Sequence, residues 1–98
     1  MFIKIHSSYR DVVAICDSEL IGKKFETGKS QLDIKEDFFK GEEKSEREIL
    51  EIMKNLEKED ATFNIIGEKA VNTALKAGII TREGIKEVSG IPFALVLM

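Results

Sequence analysis

The stretch that most constrains the fold is residues 64–78, which carry the strongest single helix signal in the chain. Its apolar side chains recur at spacings of three and four, which places them along one side of a helix; they are Ile66, Ala70, Val71, Ala74, Leu75 and Ala77. Asn64 is predicted to cap the first amides, and Gly78 is predicted to close the last turn in the left-handed conformation. A helix with one apolar side must bury that side, so we expect it to lie on a sheet.

A second helix is predicted at residues 45–56, because Ser45 and Glu48 match the capping box in which each side chain binds the other residue's backbone amide. Strands are predicted where polar and apolar residues alternate or where a short apolar run is unbroken. These segments are residues 2–6, 12–16, 31–34, 85–88 and 93–98. The sequence therefore predicts an α+β fold, with two main helices at residues 45–56 and 64–77 packed on a mixed sheet of four or five short strands. The strands include an N-terminal hairpin of residues 2–6 and 12–16 and the C-terminal strand.

Length and cysteine content limit the class of protein. The 98 residues suit a single domain spanning residues 1–98, with one core. Cys16 is the only cysteine and His6 the only histidine, which excludes an internal disulfide and a zinc site built from Cys and His clusters. No metal site and no cofactor is predicted. Because no apolar run reaches the length of a membrane span and the N-terminus does not resemble a signal peptide, we expect a cytoplasmic protein without a membrane partner.

The net charge of −3 is unevenly distributed. Residues 42–60 hold eight acidic and four basic residues, whereas the two flanking segments are close to balanced. This distribution argues against a protein that grips a nucleic-acid duplex through many phosphate contacts, which requires a broad basic face. A local basic patch remains open, and the acidic segment is interpreted as the solvated face of a helix rather than a cation site.

Cys16 ends a strand that is predicted to be buried, where an inert thiol is expected. A nucleophilic role would require a neighbouring base, and His6 is the only histidine available. The catalytic residues, if the protein is an enzyme, are therefore left unassigned, and a non-enzymatic role is favoured.

Glycines beside charged residues mark the candidate binding sites. Lys23, Lys24 and Lys29 lie around two glycines and are the best candidates to face phosphate, with a plain solvated loop as the alternative. Gly67, near the start of the main helix, indicates that something approaches closely: either an anion on bare amides, helped by Lys69, or backbone such as residues 90–92. The second reading is favoured because Glu68 would repel an anion. The candidate ligand-binding residues are Asp17, Glu19, Gly22, Lys23, Lys24, Lys29, Asn64, Gly67, Glu68, Lys69 and Gly90.

The last six residues, 93–98, are all apolar. A strand that is apolar on both faces must be covered on both, by helices, by loops or by a second copy of the protein. We therefore predict a homodimer formed through this strand.

Five pieces of sequence together resemble one known family. They are CDSELIGKKFETG at 16–28, LDI at 32–34, FKG at 39–41, NIIGEKAV at 64–71 and GIPFA at 90–94. In this order and at these separations they resemble the archaeal family called domain of unknown function 424. The resemblance implies a small cytoplasmic archaeal protein, for which a role near RNA or translation is suspected, and it brings no catalytic residues. The family commonly has His and Gln where this chain has Phe93 and Leu95, so the resemblance implies no shared polar site there.

Three classes of function remain open. The first is a binding module for RNA or a ribonucleoprotein that uses the lysines around the glycine turns. The second is a small-ligand or anion-binding protein, or an enzyme, with a cleft between residues 17–28 and the N-terminus of the main helix. The third is an adaptor that presents its acidic helix or the Phe38 and Phe39 pair to another protein.

Overall fold

The computed structural model describes residues 1–97 and has a mixed sheet with the two longer helices on one face and a hairpin and a short helix on the other. The helices are α1 (Glu36–Phe39), α2 (Glu46–Glu57) and α3 (Glu68–Ala77), with short 3-10 turns at Ser18–Leu20 and Arg82–Gly84. The strands are β1 (Phe2–His6), β2 (Val12–Cys16), β3 (Lys24–Thr27), β4 (Ser30–Asp33), β5 (Glu42–Glu43), β6 (Thr62–Ile66), β7 (Lys86–Val88) and β8 (Ile91–Val96). The predicted α+β fold is confirmed.

Six strands form the main sheet in the order β5-β1-β2-β6-β8-β7, one strand more than the prediction allowed. The predicted pairing of β1 with β2 is confirmed, with Phe2 opposite Cys16. Strands β2 and β6 run parallel, and the other neighbours are antiparallel. Strands β3 and β4 pair separately as a hairpin, and neither β3 nor β5 was predicted as a strand.

Each face of the main sheet buries its own apolar cluster, because successive side chains of a strand point to opposite faces. On one face α2 and α3 cover residues such as Ile15 and Phe63. On the other face the β3–β4 hairpin and α1 cover Cys16 and Ile66, through Leu32 and Phe39 among others. The hairpin that carries the candidate lysines therefore lies on the side of the sheet opposite α2.

The predicted start of the main helix is wrong. Residues Thr62–Ile66 form the central strand β6, and α3 begins at Glu68 with Gly67 as its N-cap residue. Asn64 consequently caps nothing and lies on β6 between Ala14 and Leu95 of the neighbouring strands. Ile66 continues the helical spacing of α3 in the sequence, but pairing with β2 and β8 on both sides makes it part of a strand. The helix ends as predicted, with Gly78 in the left-handed conformation at φ 78°.

The start of α2 is as predicted. The Ser45 hydroxyl accepts a hydrogen bond from the Glu48 amide at 3.2 Å, and the Glu48 carboxylate accepts one from the Ser45 amide at 3.1 Å. No helix within residues 1–97 has the length and apolar character needed to cross a bilayer.

The adjacent phenylalanines do not form an exposed contact surface. Phe39 is buried, and Phe38 stacks on the His6 ring with the ring centroids 4.6 Å apart. The adaptor hypothesis thus loses its aromatic element, because both rings are used within the chain.

Candidate functional site

Two chain segments meet at the carboxyl ends of the parallel strands β2 and β6. Cys16 lies opposite Ile66, so the next residues, Asp17 and Gly67, lie side by side. The Asp17 amide donates to the Ile66 carbonyl oxygen at 3.1 Å, which continues the pairing by one residue. We call Asp17, Gly67 and the adjoining Pro92 the Asp17–Gly67 junction.

The Asp17 carboxylate occupies the N-terminus of α3. Its side chain is buried, and its two oxygen atoms accept the amides of Lys69 at 3.0 Å and Ala70 at 2.8 Å. These are first-turn amides that have no partner within the helix, and the helix dipole favours negative charge at this position. The place where a helix could hold an external anion is therefore filled by the chain's own carboxylate.

Gly67 is required at the junction for two reasons. Its φ of 113° lies in the region that side-chain-bearing residues avoid, and a Cβ atom there would lie 2.4 Å from the Asp17 Cγ. Its amide donates to the Pro92 carbonyl oxygen at 2.8 Å. The predicted close approach at Gly67 is confirmed, and the backbone of residues 90–92 is one of the two groups involved. The Asp17 side chain makes no capping hydrogen bond to the 3-10 turn at Ser18–Leu20 that follows it.

Cys16 and His6 do not form a nucleophile and base pair. Burial, and to a smaller extent the neighbouring Asp17 charge, raise the pKa of the Cys16 thiol from 9.0 to about 12. Cys16 lies opposite Phe2 whereas His6 lies four residues further along β1, about 13 Å away at the rise of a strand. The His6 Nε2 lies 2.9 Å from the Phe38 carbonyl oxygen. The predicted inert thiol agrees with this geometry.

The candidate lysines lie on or beside the β3–β4 hairpin. Lys23 precedes β3, Lys24 lies within it, and Lys29 lies in the turn, and all three are exposed. Gly22 and Gly28 have φ values of 77° and 58°, as turns of this kind require. The Lys24 Nζ lies 3.8 Å from a carboxylate oxygen of Glu26, an exposed pairing that holds the lysine only weakly.

The remaining candidates are dispersed. Glu19 is exposed in the 3-10 turn, Glu68 and Lys69 open α3, and Gly90 lies in the two-residue turn between β7 and β8 with a φ of 78°. Of the predicted set, the structure brings together Asp17 and the first residues of α3, while Gly90 and the hairpin residues lie elsewhere. Within residues 1–97, no group of three or more Cys, His, Asp or Glu side chains is placed to hold a metal ion.

A basic cleft of about 330 Å³ lies between the starts of α2 and α3. It is lined by Met1, Lys44, Ser45, Glu46, Lys69, Asn72 and Lys76. The Lys76 Nζ is paired with Glu46 at 2.6 Å, and the Lys44 Nζ is paired with Glu42 at 3.1 Å. Lys69 has no ion pair among the described residues, so its charge is available to a ligand in the cleft.

Sequence reasoning missed β6 and two of the three cleft lysines, Lys44 and Lys76. The signal for β6 was present, because residues 62–66 combine β-branched and aromatic residues and are followed by a glycine. No local signal pairs Lys44 with Lys69, because they come from different elements.

Comparison with known proteins identifies the fold and the family. The chain is similar to a crystal structure of an uncharacterized conserved protein from Methanopyrus kandleri, with a TM-score of 0.83 over 98% of this chain and 90% of that one. The two are 24% identical, so this likeness concerns the fold alone. No curated protein matches the chain. The sequence pattern of the family described as "Protein of unknown function (DUF424)" matches residues 5–98, and the chain belongs to that family.

Proposed function

We propose that this protein is a non-enzymatic binding module for single-stranded RNA and that the β3–β4 hairpin is its contact surface. The observation that carries the proposal is the charge of residues 23–35, which hold four lysines and two acidic residues in a chain of net charge −3. All six charged side chains are exposed, and a local concentration of exposed lysine attracts phosphate.

The state of the reactive side chains supports a binding role. The Cys16 thiol is buried and its pKa is raised to about 12, so it is protonated at neutral pH. The Asp17 carboxylate is used by two helix amides, and the His6 ring is stacked on Phe38. Each of these groups is therefore buried or held by another part of the chain.

The size of the hairpin favours a single strand over a duplex. Each of its strands has four residues, which suits a short run of phosphates and no broad groove. The acidic surplus of α2 lies on the other side of the sheet and would oppose a wrapped duplex.

The test is binding of a fluorescent single-stranded RNA over a series of salt concentrations. We expect log K to fall with log salt with a slope of roughly −2 if three lysines each neutralise one phosphate. Replacing Lys23, Lys24 and Lys29 together by alanine should abolish most of the binding and flatten the slope. The matched control replaces Arg47, Lys54 and Lys58 by alanine, which removes the same charge from the exposed side of α2.

Two results would contradict the proposal. The first is no binding of RNA by the unaltered protein at low salt. The second is an equal loss of binding in the hairpin variant and the α2 variant, which would mean that net charge rather than the hairpin attracts RNA.

A second candidate function is the binding of a small anionic ligand in the cleft beside Lys69. Three lysines line this cleft of about 330 Å³, and Lys69 has no ion pair among residues 1–97. A ligand of the native state raises the melting temperature. We expect a pool of nucleotides and phosphorylated metabolites to raise it in the unaltered protein and not in a Lys69→Ala, Lys76→Ala variant. A flat screen of the unaltered protein would count against this function.

A further inference from the structure

Strand β8 extends beyond its neighbour at the edge of the main sheet. Strand β7 pairs with it only from Ile91 to Phe93 and begins at Lys86. Strand β6 pairs with its other side as far as Val96. The far end of β8 therefore has a strand on one side only within the described part of the chain.

The direction of the backbone groups follows from the ladder. The Gly67 amide donates to the Pro92 carbonyl oxygen, so the backbone groups of Pro92 point towards β6. Hydrogen-bonded pairs occur at every second residue of an antiparallel ladder, so the backbone groups of Ala94 and Val96 also point towards β6. The amide and carbonyl of Leu95 consequently point outwards, past the end of β7. Gly84 would be next in register on that side, but it lies in a 3-10 turn and its amide donates to Thr81 at 3.0 Å.

Two exposed apolar side chains and open space border this edge. The Leu95 and Leu97 side chains, which point to the same face of the sheet, are 56% and 76% exposed. Gly84 lines two cavities here. The cavity of about 380 Å³ is also lined by Lys86 and Phe93, and the cavity of about 320 Å³ is also lined by Val96. A Cβ atom at Gly84 would meet no atom within 4 Å, so there is room beside the strand.

We propose that the end of β8 pairs antiparallel with the same strand of a second copy of this chain. An exposed edge with unpaired amides and carbonyls is a template for another strand, and the chain itself carries an apolar strand of matching length. Two-fold pairing makes the contact self-complementary, so each copy supplies both the edge and the added strand. This proposal gives the dimer predicted from residues 93–98 a defined register.

The register is centred on Val96. In that arrangement Leu95 exchanges backbone hydrogen bonds with the partner's Leu97, and Leu97 does so with the partner's Leu95. Centring on Leu95 would instead set the partner's Leu97 against Phe93, whose outward groups are already paired with Lys86. The two-fold axis then stands perpendicular to the sheet, which places both β3–β4 hairpins on the same face of one continuous sheet.

The test is the mass in solution, measured by light scattering from micromolar to submillimolar protein. We expect the unaltered protein to reach twice the 11.0 kDa of one chain. Leu95→Pro should return the mass to 11.0 kDa, because it removes an amide that points outwards and leaves the bonds to β6 intact. Leu97→Lys should also give the mass of one chain. Because Leu97 follows the end of β8, the fold should be preserved, and the circular dichroism spectrum of this variant should match that of the unaltered protein.

The matched control is Ile5→Lys together with Tyr9→Lys, which alters the other two exposed large apolar side chains of residues 1–97 and should leave the dimer intact. The proposal is overturned if the unaltered protein keeps the mass of one chain at the highest concentration. It is also overturned if both β8 variants remain dimeric. Neither result depends on RNA, so the dimer and the RNA proposal can fail separately.

Discussion

The Asp17–Gly67 junction and the β3–β4 hairpin share a sequence feature and differ in structure. Each sets glycine beside charged residues. At the junction the charge is a buried carboxylate whose two oxygen atoms are held by helix amides. On the hairpin the charges are exposed lysines, and the ion pair found there joins Lys24 to Glu26 at 3.8 Å. The difference teaches that a glycine beside a charge indicates close packing where the charge is buried, and an available surface where it is not.

The same difference predicts where substitutions affect stability and where they affect binding. A buried carboxylate leaves amides unsatisfied when it is removed, which is costly. An exposed lysine loses little, because water replaces its contacts. Four substitution experiments test this contrast.

Gly67→Ala should have the largest effect. We expect the free energy of unfolding to fall by roughly 3–5 kcal/mol, because the alanine combines a strained φ with displacement of the Asp17 carboxylate from its amides. Urea denaturation followed by circular dichroism measures the change. Gly84→Ala is the control, since its Cβ would meet no atom within 4 Å, and it should change stability by less than about 0.5 kcal/mol. Equal effects would mean that the junction is not closely packed.

Asp17→Ala should follow, with a loss of roughly 2–4 kcal/mol from two unsatisfied helix amides. Asp17→Asn should lose less, because it keeps one acceptor oxygen. Asp33→Ala removes the same residue type from the exposed side of the hairpin and should cost less than about 0.5 kcal/mol. If Asp17→Ala were as mild as Asp33→Ala, the carboxylate would not be holding α3.

Cys16 should make the protein less stable in alkali. Its pKa is raised in the folded state, from 9.0 to about 12, so the unfolded chain loses the thiol proton first as the pH rises. This contribution to stability is complete below pH 9.0 and is lost between pH 9.0 and about pH 12, at a slope of at most about 1.4 kcal/mol per pH unit. Cys16→Ala should remove that part of the slope and leave the rest of the pH dependence unchanged. Identical slopes would show that the thiol is not shielded.

Alanine at Lys23, Lys24 and Lys29 together should have the smallest effect on folding. We expect a change within about 0.5 kcal/mol, because exposed ion pairs contribute little. The same variant is expected to lose most of its RNA binding. A loss of stability as large as that of Asp17→Ala would erase the contrast and make the lysines structural.

Local features of the fold were predictable from residues close together in the chain. The capping box of Ser45 and Glu48 spans one helical turn, and the β1–β2 hairpin joins neighbouring segments, so both follow from short-range sequence. The start of α3 was not predictable in this way. Residues 62–66 are apolar enough for a helix or a strand, and only their position between β2 and β8 decides between them.

The candidate site shows the same limit. The closeness of Gly67 to another group could be predicted, because a glycine near the start of a helix indicates that another atom approaches the backbone there. That the group is Asp17 could not, since Asp17 lies fifty residues earlier and meets Gly67 only through the parallel pairing of β2 and β6. The three hairpin lysines are exposed, as either interpretation of their loop required, and their role in binding stays a prediction. The cleft between α2 and α3 could not be predicted, because its residues come from different elements.

By itself the sequence determined the class of fold, the capping box at the start of α2, the Gly78 cap at the end of α3, and the absence of a cysteine or histidine cluster. Those properties depend on residue type and on spacings within a few turns. Tertiary structure alone decided that Asp17 fills the N-terminus of α3 and that β7 stops before Leu95. Both outcomes depend on which strands lie side by side, and strand order is set by the packing of the whole chain rather than by any one segment.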